Sequence, residues 1–208
     1  MRTFEYGNPA AADVLIQPVD DHDLSGIEVQ VQALSRLTAD DFRLIAVKIE
    51  DWNRELSPWQ APPVFGREAF GGGAAETLDR LLPLCGDKSK RYFLGGYSLA
   101  GLFALWAATQ TDVFSGVAAA SPSVWFPDFS AYLCAHPIRA GRVYLSLGDR
   151  EEKTRNPRMA TVGQRIREIH DLLSGRGTDC VLEWNPGNHF REPELRTARA
   201  FAWLLEAH

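Results

Sequence analysis

Cysteine is scarce in this chain of 208 residues: Cys85, Cys134 and Cys180 are an odd number with no CxxC spacing. That argues against a disulfide framework and against a cysteine zinc site, and the three read as buried thiols of a cytoplasmic protein. An excess of positive charge is missing too. Lys and Arg total 22 against 27 Asp and Glu, a net charge of −5. No basic cluster stands out, so neither nucleic acid nor an anionic membrane is an expected partner. No apolar run is long enough to span a bilayer. The opening MRTFEYGNPA lacks the basic start and apolar run of a signal peptide. Gly71-Gly72-Gly73 stands outside any G-x-x-x-x-G-K-[ST] or G-x-G-x-x-G pattern, so it reads as a hinge or turn and not as a phosphate loop. Internal repeats, low-complexity stretches and linkers are absent.

What is present is a core. Hydrophobic residues make up 45% of the chain, enough for one domain over residues 1–208. Short apolar strands alternate with helical stretches. The strands are Asp13 to Val19, Phe42 to Ile49, Tyr92 to Leu94, Phe114 to Ala120, Val143 to Leu147 and Cys180 to Trp184. The helices are Gly26 to Leu34 (with Ile27, Val29, Val31 and Leu34), Ala74 to Leu84, Leu99 to Ala108, Arg158 to Leu173 and Leu195 to Glu206. Such alternation predicts a mostly parallel sheet with helices on both faces. The cluster Asp20, Asp21, His22 and Asp23 holds ordinary metal ligands, but no second cluster accompanies it. The favoured reading is a strand-end loop capping a helix that begins near Ser25. No metal and no cofactor are expected.

The stretch RYFLGGYSLAGLFALWAAT, Arg91 to Thr109, reads as strand, sharp turn and buried helix. Gly96-Tyr97-Ser98-Leu99-Ala100-Gly101 is close to the nucleophile elbow G-x-S-x-G, with Ala100 in the second glycine place. Such a turn needs small residues two before and two after the serine. It lifts the Ser98 hydroxyl clear of the sheet and aims the following helix N-terminus at the reaction centre, so the Leu99 N–H is a candidate oxyanion donor. Polar features also end two later strands: the acids Asp149, Glu151 and Glu152, and His189. The order Ser, acid, His is that of α/β-hydrolases. Ser98 is the candidate nucleophile, His189 its base, and one carboxylate fixes the imidazole tautomer. Asp149 is first after its strand and short, while Glu151 or Glu152 could reach from a longer loop. If none of them does, a Ser–His dyad remains. The loop after the second strong strand, Glu50 to Trp59, is polar and aromatic together. A backbone N–H at Asp51 or Trp52 is a candidate second oxyanion donor, and Arg54, Trp52, Trp59, Tyr97 and Trp125 are candidate substrate contacts. His170, on a charged helix, is a surface residue in this reading.

With GGYSLAGLFALW around Ser98, AAASPSVWFP from Ala118, SLGDREEKTRNP from Ser146 and GNHF around His189, the chain resembles the putative-esterase family of α/β-hydrolases. That family includes siderophore and feruloyl esterases, S-formylglutathione hydrolase and mycolyltransferases. The resemblance runs from about Phe42 to the C-terminus. It implies an α/β-hydrolase fold, Ser98 as nucleophile, His189 as base, and Glu151, then Asp149, as the acid. It places the second oxyanion donor in the Glu50–Trp52 region. Two departures stand out: Ala100 in place of glycine, and leading antiparallel strands that look trimmed. The function it implies is hydrolysis of a small-molecule carboxylic ester or thioester through an acyl-enzyme. Acyl transfer on the same triad and a non-catalytic binding scaffold are the rival readings. A homo-oligomer is left open.

Overall fold

The computed structural model describes residues 1–64 and 66–206. Along the chain run β1 (Thr3–Gly7), β2 (Asp13–Val19), α1 (Asp21–Leu37), β3 (Phe42–Lys48), α2 (Trp52–Glu55), β4 (Gln60–Ala61), β5 (Phe70–Gly71), α3 (Ala74–Leu81), β6 (Arg91–Tyr97), α4 (Leu99–Gln110), β7 (Phe114–Ala120), α5 (Phe129–Ala135), β8 (Arg142–Gly148), α6 (Val162–Gly175), β9 (Asp179–Asn185) and α7 (Pro193–Leu205). Seven strands form one sheet in the order β1-β3-β2-β6-β7-β8-β9. Every pair in it is parallel except β1 with β3.

The sheet forms because its central strands are apolar on both faces. β2 is buried along its whole length, which is the signature of a central parallel strand covered on each side. Its pairing with β6 ends at Ile16, before Pro18, whose missing N–H would otherwise interrupt a ladder. α1 and α7 pack together on one face, where Phe201, Leu204, Leu15 and Tyr144 form a core. α3, α4 and α6 cover the other face, with Phe103, Leu105, Ile166 and Leu173 in the larger core. Burying each such Leu or Phe contributes about 1.5–3 kcal/mol. α4 is buried from Leu99 through Thr109, which explains why its sequence has no polar face. Among the described residues no helix is long and apolar enough to cross a membrane.

The structure departs from the sequence reading in several places; the helix expected from Arg158 begins at Val162, after a short 3-10 turn, and the Glu50–Trp59 loop contains α2. α1 starts at Asp21 and not near Ser25, because Asp20 is its N-cap. Asp20 accepts from the Asp23 N–H at 2.8 Å and Asp23 accepts in return from the Asp20 N–H at 3.3 Å, a capping box. On the same helix Val29 is exposed, and the inward position belongs to Gln30, whose amide pairs with that of Gln17. One leading antiparallel strand, β1, does remain at the sheet edge, its half-exposed TFEYG too polar in alternation to announce itself. The thiols are not buried: Cys134 is exposed and Cys85 and Cys180 are half-buried, all three free. Desolvation still pushes Cys85 and Cys180 up to about 12, so neither is a nucleophile near neutral pH.

Candidate active site

β6, β7 and β8 end side by side, and the turns that follow them meet the loop after β9. At the end of β6 the chain reverses on Ser98, whose φ of 56° and ψ of −117° lie where L-residues rarely sit. Close packing enforces the strain. A Cβ on Gly96 would come within 2.6 Å of the Ala100 Cβ, so glycine is required at position 96 because alanine stands at position 100. The Ser98 N–H donates to Ala120 O at 3.0 Å, and Ser98 O accepts from the Ser123 N–H at 3.0 Å. These bonds tie the turn to β7 and the loop beyond it. Leu99 opens α4, so its N–H is one of the helix's unpaired N-terminal donors.

Three side chains line up from this turn. Ser98 Oγ lies 3.0 Å from His189 Nε2, and His189 Nδ1 lies 2.7 Å from Glu151 Oε2. An ionised carboxylate only accepts, so Nδ1 carries the hydrogen and Nε2 is left to accept from the serine. The Ser123 hydroxyl stands 3.2 Å from Ser98 Oγ.

Glu151 is buried, at 8% exposure. Its second oxygen accepts from the Gly148 N–H at 2.7 Å, Ser121 Oγ at 2.8 Å and Arg196 Nη1 at 2.9 Å. Burial works against its ionisation. The hydrogen bond and charge of His189, then Gly148 and Ser121, outweigh burial and hold the carboxyl below its ordinary value. The other two acids go elsewhere. Asp149 Oδ1 accepts from the Gly187 N–H at 2.7 Å, stitching the β8 turn to the histidine loop, and Glu152 pairs with Arg167 at 3.3 Å.

Arg196, on α7, is the residue that sequence reasoning missed. It is 1% exposed. It donates to Tyr97 OH, Ser121 Oγ, Glu151 Oε1, Pro186 O and Asn188 O, all between 2.9 and 3.1 Å. Its signal was periodic: positions 196, 200 and 204 form one buried row of α7, an unusual place for a cation. Ser121, with a φ of 43°, and Ser123 were likewise passed over. Tyr97 joins this group. Its OH donates to His189 O at 2.7 Å, and burial, then the Glu151 charge, push the phenol up to about 12.

The remaining candidates separate. A cavity of about 300 Å³ brings Trp52 together with Tyr97, Ser98, His189 and Phe190. The Asp51 N–H is engaged by Glu55 Oε1 at 2.9 Å, which leaves the Trp52 N–H, first of α2, as the available donor of that loop. Glu55 is itself buried and bonded to Arg80. Arg54 is exposed and sits among Asp51, Glu55 and Glu76. Trp59 packs into an aromatic group with Phe126, Phe129 and Tyr132, and its Nε1 donates to Pro127 O at 3.2 Å. Trp125 walls a second cavity that reaches His189. His170 lies on α6, 3.2 Å from Asp171. Asp20 and Asp23 line the Ser98 cavity, and Asp23 is pushed up to about 7 by burial and the Asp20 charge.

A family model described as putative esterase matches residues 77–193, a range that contains Ser98, Glu151 and His189. Compared with curated proteins by sequence, the chain matches none. Among solved structures, siderophore hydrolase EstA from Aspergillus nidulans is similar, with a TM-score of 0.69 and 23% identity over 93% of this chain and 82% of that one. An IroE-like serine hydrolase from Shewanella oneidensis gives 0.77 and 15% over 97% and 74%. The enterobactin esterase FES from Shigella flexneri, solved in the presence of enterobactin, gives 0.66 and 16% over 97% and 54%, so the chain spans about half the length of that enzyme. These likenesses show the α/β-hydrolase fold.

Proposed function

We propose that this chain, which belongs to the putative esterase family, is a serine esterase that cleaves a small carboxylic ester or thioester through an acyl-enzyme on Ser98. The observation that carries this reading is the unbroken line from Ser98 Oγ through His189 to Glu151, at 3.0 and 2.7 Å. His189 Nε2 takes the Ser98 proton as Oγ attacks the carbonyl carbon. The Leu99 N–H, at the positive end of α4, and the Trp52 N–H receive the charge that develops on oxygen. His189 then gives the proton to the leaving alcohol or thiol, and the acyl group stays on Ser98. Water, deprotonated by the same imidazole, releases the acid in the second half. Glu151 holds the tautomer and offsets the charge of the imidazolium.

Siderophore esters are the first substrates to assay, since two of the fold neighbours are a siderophore hydrolase and an enterobactin esterase. The reducing cytoplasm suits three free thiols. The test is intact mass after treatment with a fluorophosphonate, on wild type and Ser98→Ala in parallel. One adduct on wild type alone is expected, together with a fall in ester turnover on the order of 10⁶ in the variant. A folded wild type that takes up no adduct would sink the proposal in favour of a binding scaffold.

A further inference from the structure

A cavity of about 300 Å³ opens on each side of His189, and the two differ in charge. On the Ser98 side the titratable lining besides Tyr97 and His189 is His22 with Asp20 and Asp23, the capping pair of α1, and it holds no Lys or Arg. On the Glu151 side an apolar wall of Trp125, Met159 and Val162 meets Arg150 and Lys153. The second set lies on the turn after β8. Between positions 150 and 158 that segment, REEKTRNPR, holds four cations and two acids. Both acids are committed: Glu151 to His189 and Arg196, and Glu152 to Arg167. None of the side chains of Arg150, Lys153, Arg155 and Arg158 has a hydrogen-bond or ion-pair partner among the described residues. In a chain of net charge −5, unpaired cations on one turn are a local reversal of sign.

Cations beside an aromatic and aliphatic wall suit an anion carried on an apolar body. The wall receives the body, and the cations meet the charge without having to break a pair of their own. Buried among hydrogen-bond donors, Glu151 presents little free charge to oppose it. A flat basic surface would suit a polymer, but this is a cleft that shares His189 with the reacting serine, so its ligand is part of the substrate.

We propose that the cleft between Trp125, Arg150 and Lys153 is the subsite for a carboxylate-bearing part of the ester. This rests on the serine esterase reading. Exposed ion pairs are individually weak, and two together amount to roughly a tenfold preference at low salt.

The test compares matched esters on wild type and on the double variant Arg150→Gln, Lys153→Gln. One pair carries the charge on the acyl side: an aryl monoester of succinic acid against the same aryl ester of succinamic acid. The other carries it on the alcohol side: 4-carboxyphenyl acetate against 4-carbamoylphenyl acetate. Within a pair, dividing the wild-type ratio of kcat/KM by that of the variant removes intrinsic reactivity. For one of the two pairs the carboxylate preference should drop about tenfold in the variant, and wild type should lose it in 0.5 M salt. A wild type that acquires the Ser98 adduct yet shows no change of ratio in either pair would overturn the subsite, as would equal loss on both members of each pair. Absence of the adduct is a different result and removes the esterase reading instead.

Discussion

Glu151 shows what one side chain adds beyond its motif. A carboxylate with four donors around it is fixed in place, so the imidazole bonded to it is fixed as well. Glu151→Gln keeps the shape but puts an amide where only an acceptor fits. If Ser98 is the nucleophile proposed, turnover should drop by about 10³–10⁴, the loss typical where the histidine is held in the wrong tautomer. The pH dependence of stability follows from the same bonds. The folded carboxyl is held below its ordinary value, so the stabilisation is complete above the unfolded carboxyl range, about 4.3, and is lost as pH falls through the folded value. Between pH 5 and 3 the urea midpoint of wild type should fall more steeply than that of Glu151→Gln. Parallel slopes would show that Glu151 is not the group responsible. In sequence the acid was one of three within four residues, and spacing does not separate them. The choice depends on a short 3-10 turn at Glu151–Lys153 that brings Glu151 back under the histidine while Asp149 caps the neighbouring loop.

At the level of elements, the junction of β6 and α4 was the most legible part of the chain, because its packing rule involves residues adjacent in sequence. A strand, a pair of glycines and an apolar helix can be recognised without knowing what lies around them. The departure from the motif now has a physical meaning. With alanine at position 100, the space that would hold a Cβ at position 96 is filled. Gly96→Ala alone should destabilise strongly and slow fluorophosphonate labelling. Ala100→Gly alone should cost about 1 kcal/mol of helix propensity. The double variant should be more stable than the sum of the two losses predicts, since each change makes room for the other. Additive losses in urea denaturation would mean that some other contact confines Gly96. Less legible were elements whose signal is weak or long-range. β1 is a half-exposed edge strand of five residues. Trp59 sits in a loop that invited a substrate role, but its ring is claimed by Phe126, Phe129 and Tyr132, which lie far along the chain.

Across the whole molecule, totals mislead where local pairing decides. The net charge of −5 is compatible with a basic cleft, because ion pairing removes some acids from account and leaves cations on one turn free. The same holds for Arg196. The C-terminal helix belongs to the face opposite α4, and its apolar residues pack under the sheet, yet this one side chain reaches Glu151. It bonds to the ends of β6 and β7, the turn after β8 and the loop after β9, so it ties the far end of the chain to four separate pieces of the site. Removing it leaves Glu151 with less compensation, takes the side-chain donor from Pro186 O, and leaves Asn188 O with the Arg191 N–H at 3.3 Å. Arg196→Met should lower stability by about 3–5 kcal/mol, the loss typical of a broken buried pair. Arg196→Lys keeps the charge but presents one nitrogen to acceptors that surround two. It should fold more stably than the methionine variant and still label more slowly with a fluorophosphonate than wild type. If Arg196→Lys labels at the wild-type rate while its urea midpoint falls, the arginine supports the fold alone. If labelling and midpoint fall together, the sheet's two faces are joined at the site, and the position of His189 depends on a helix packed against the opposite side.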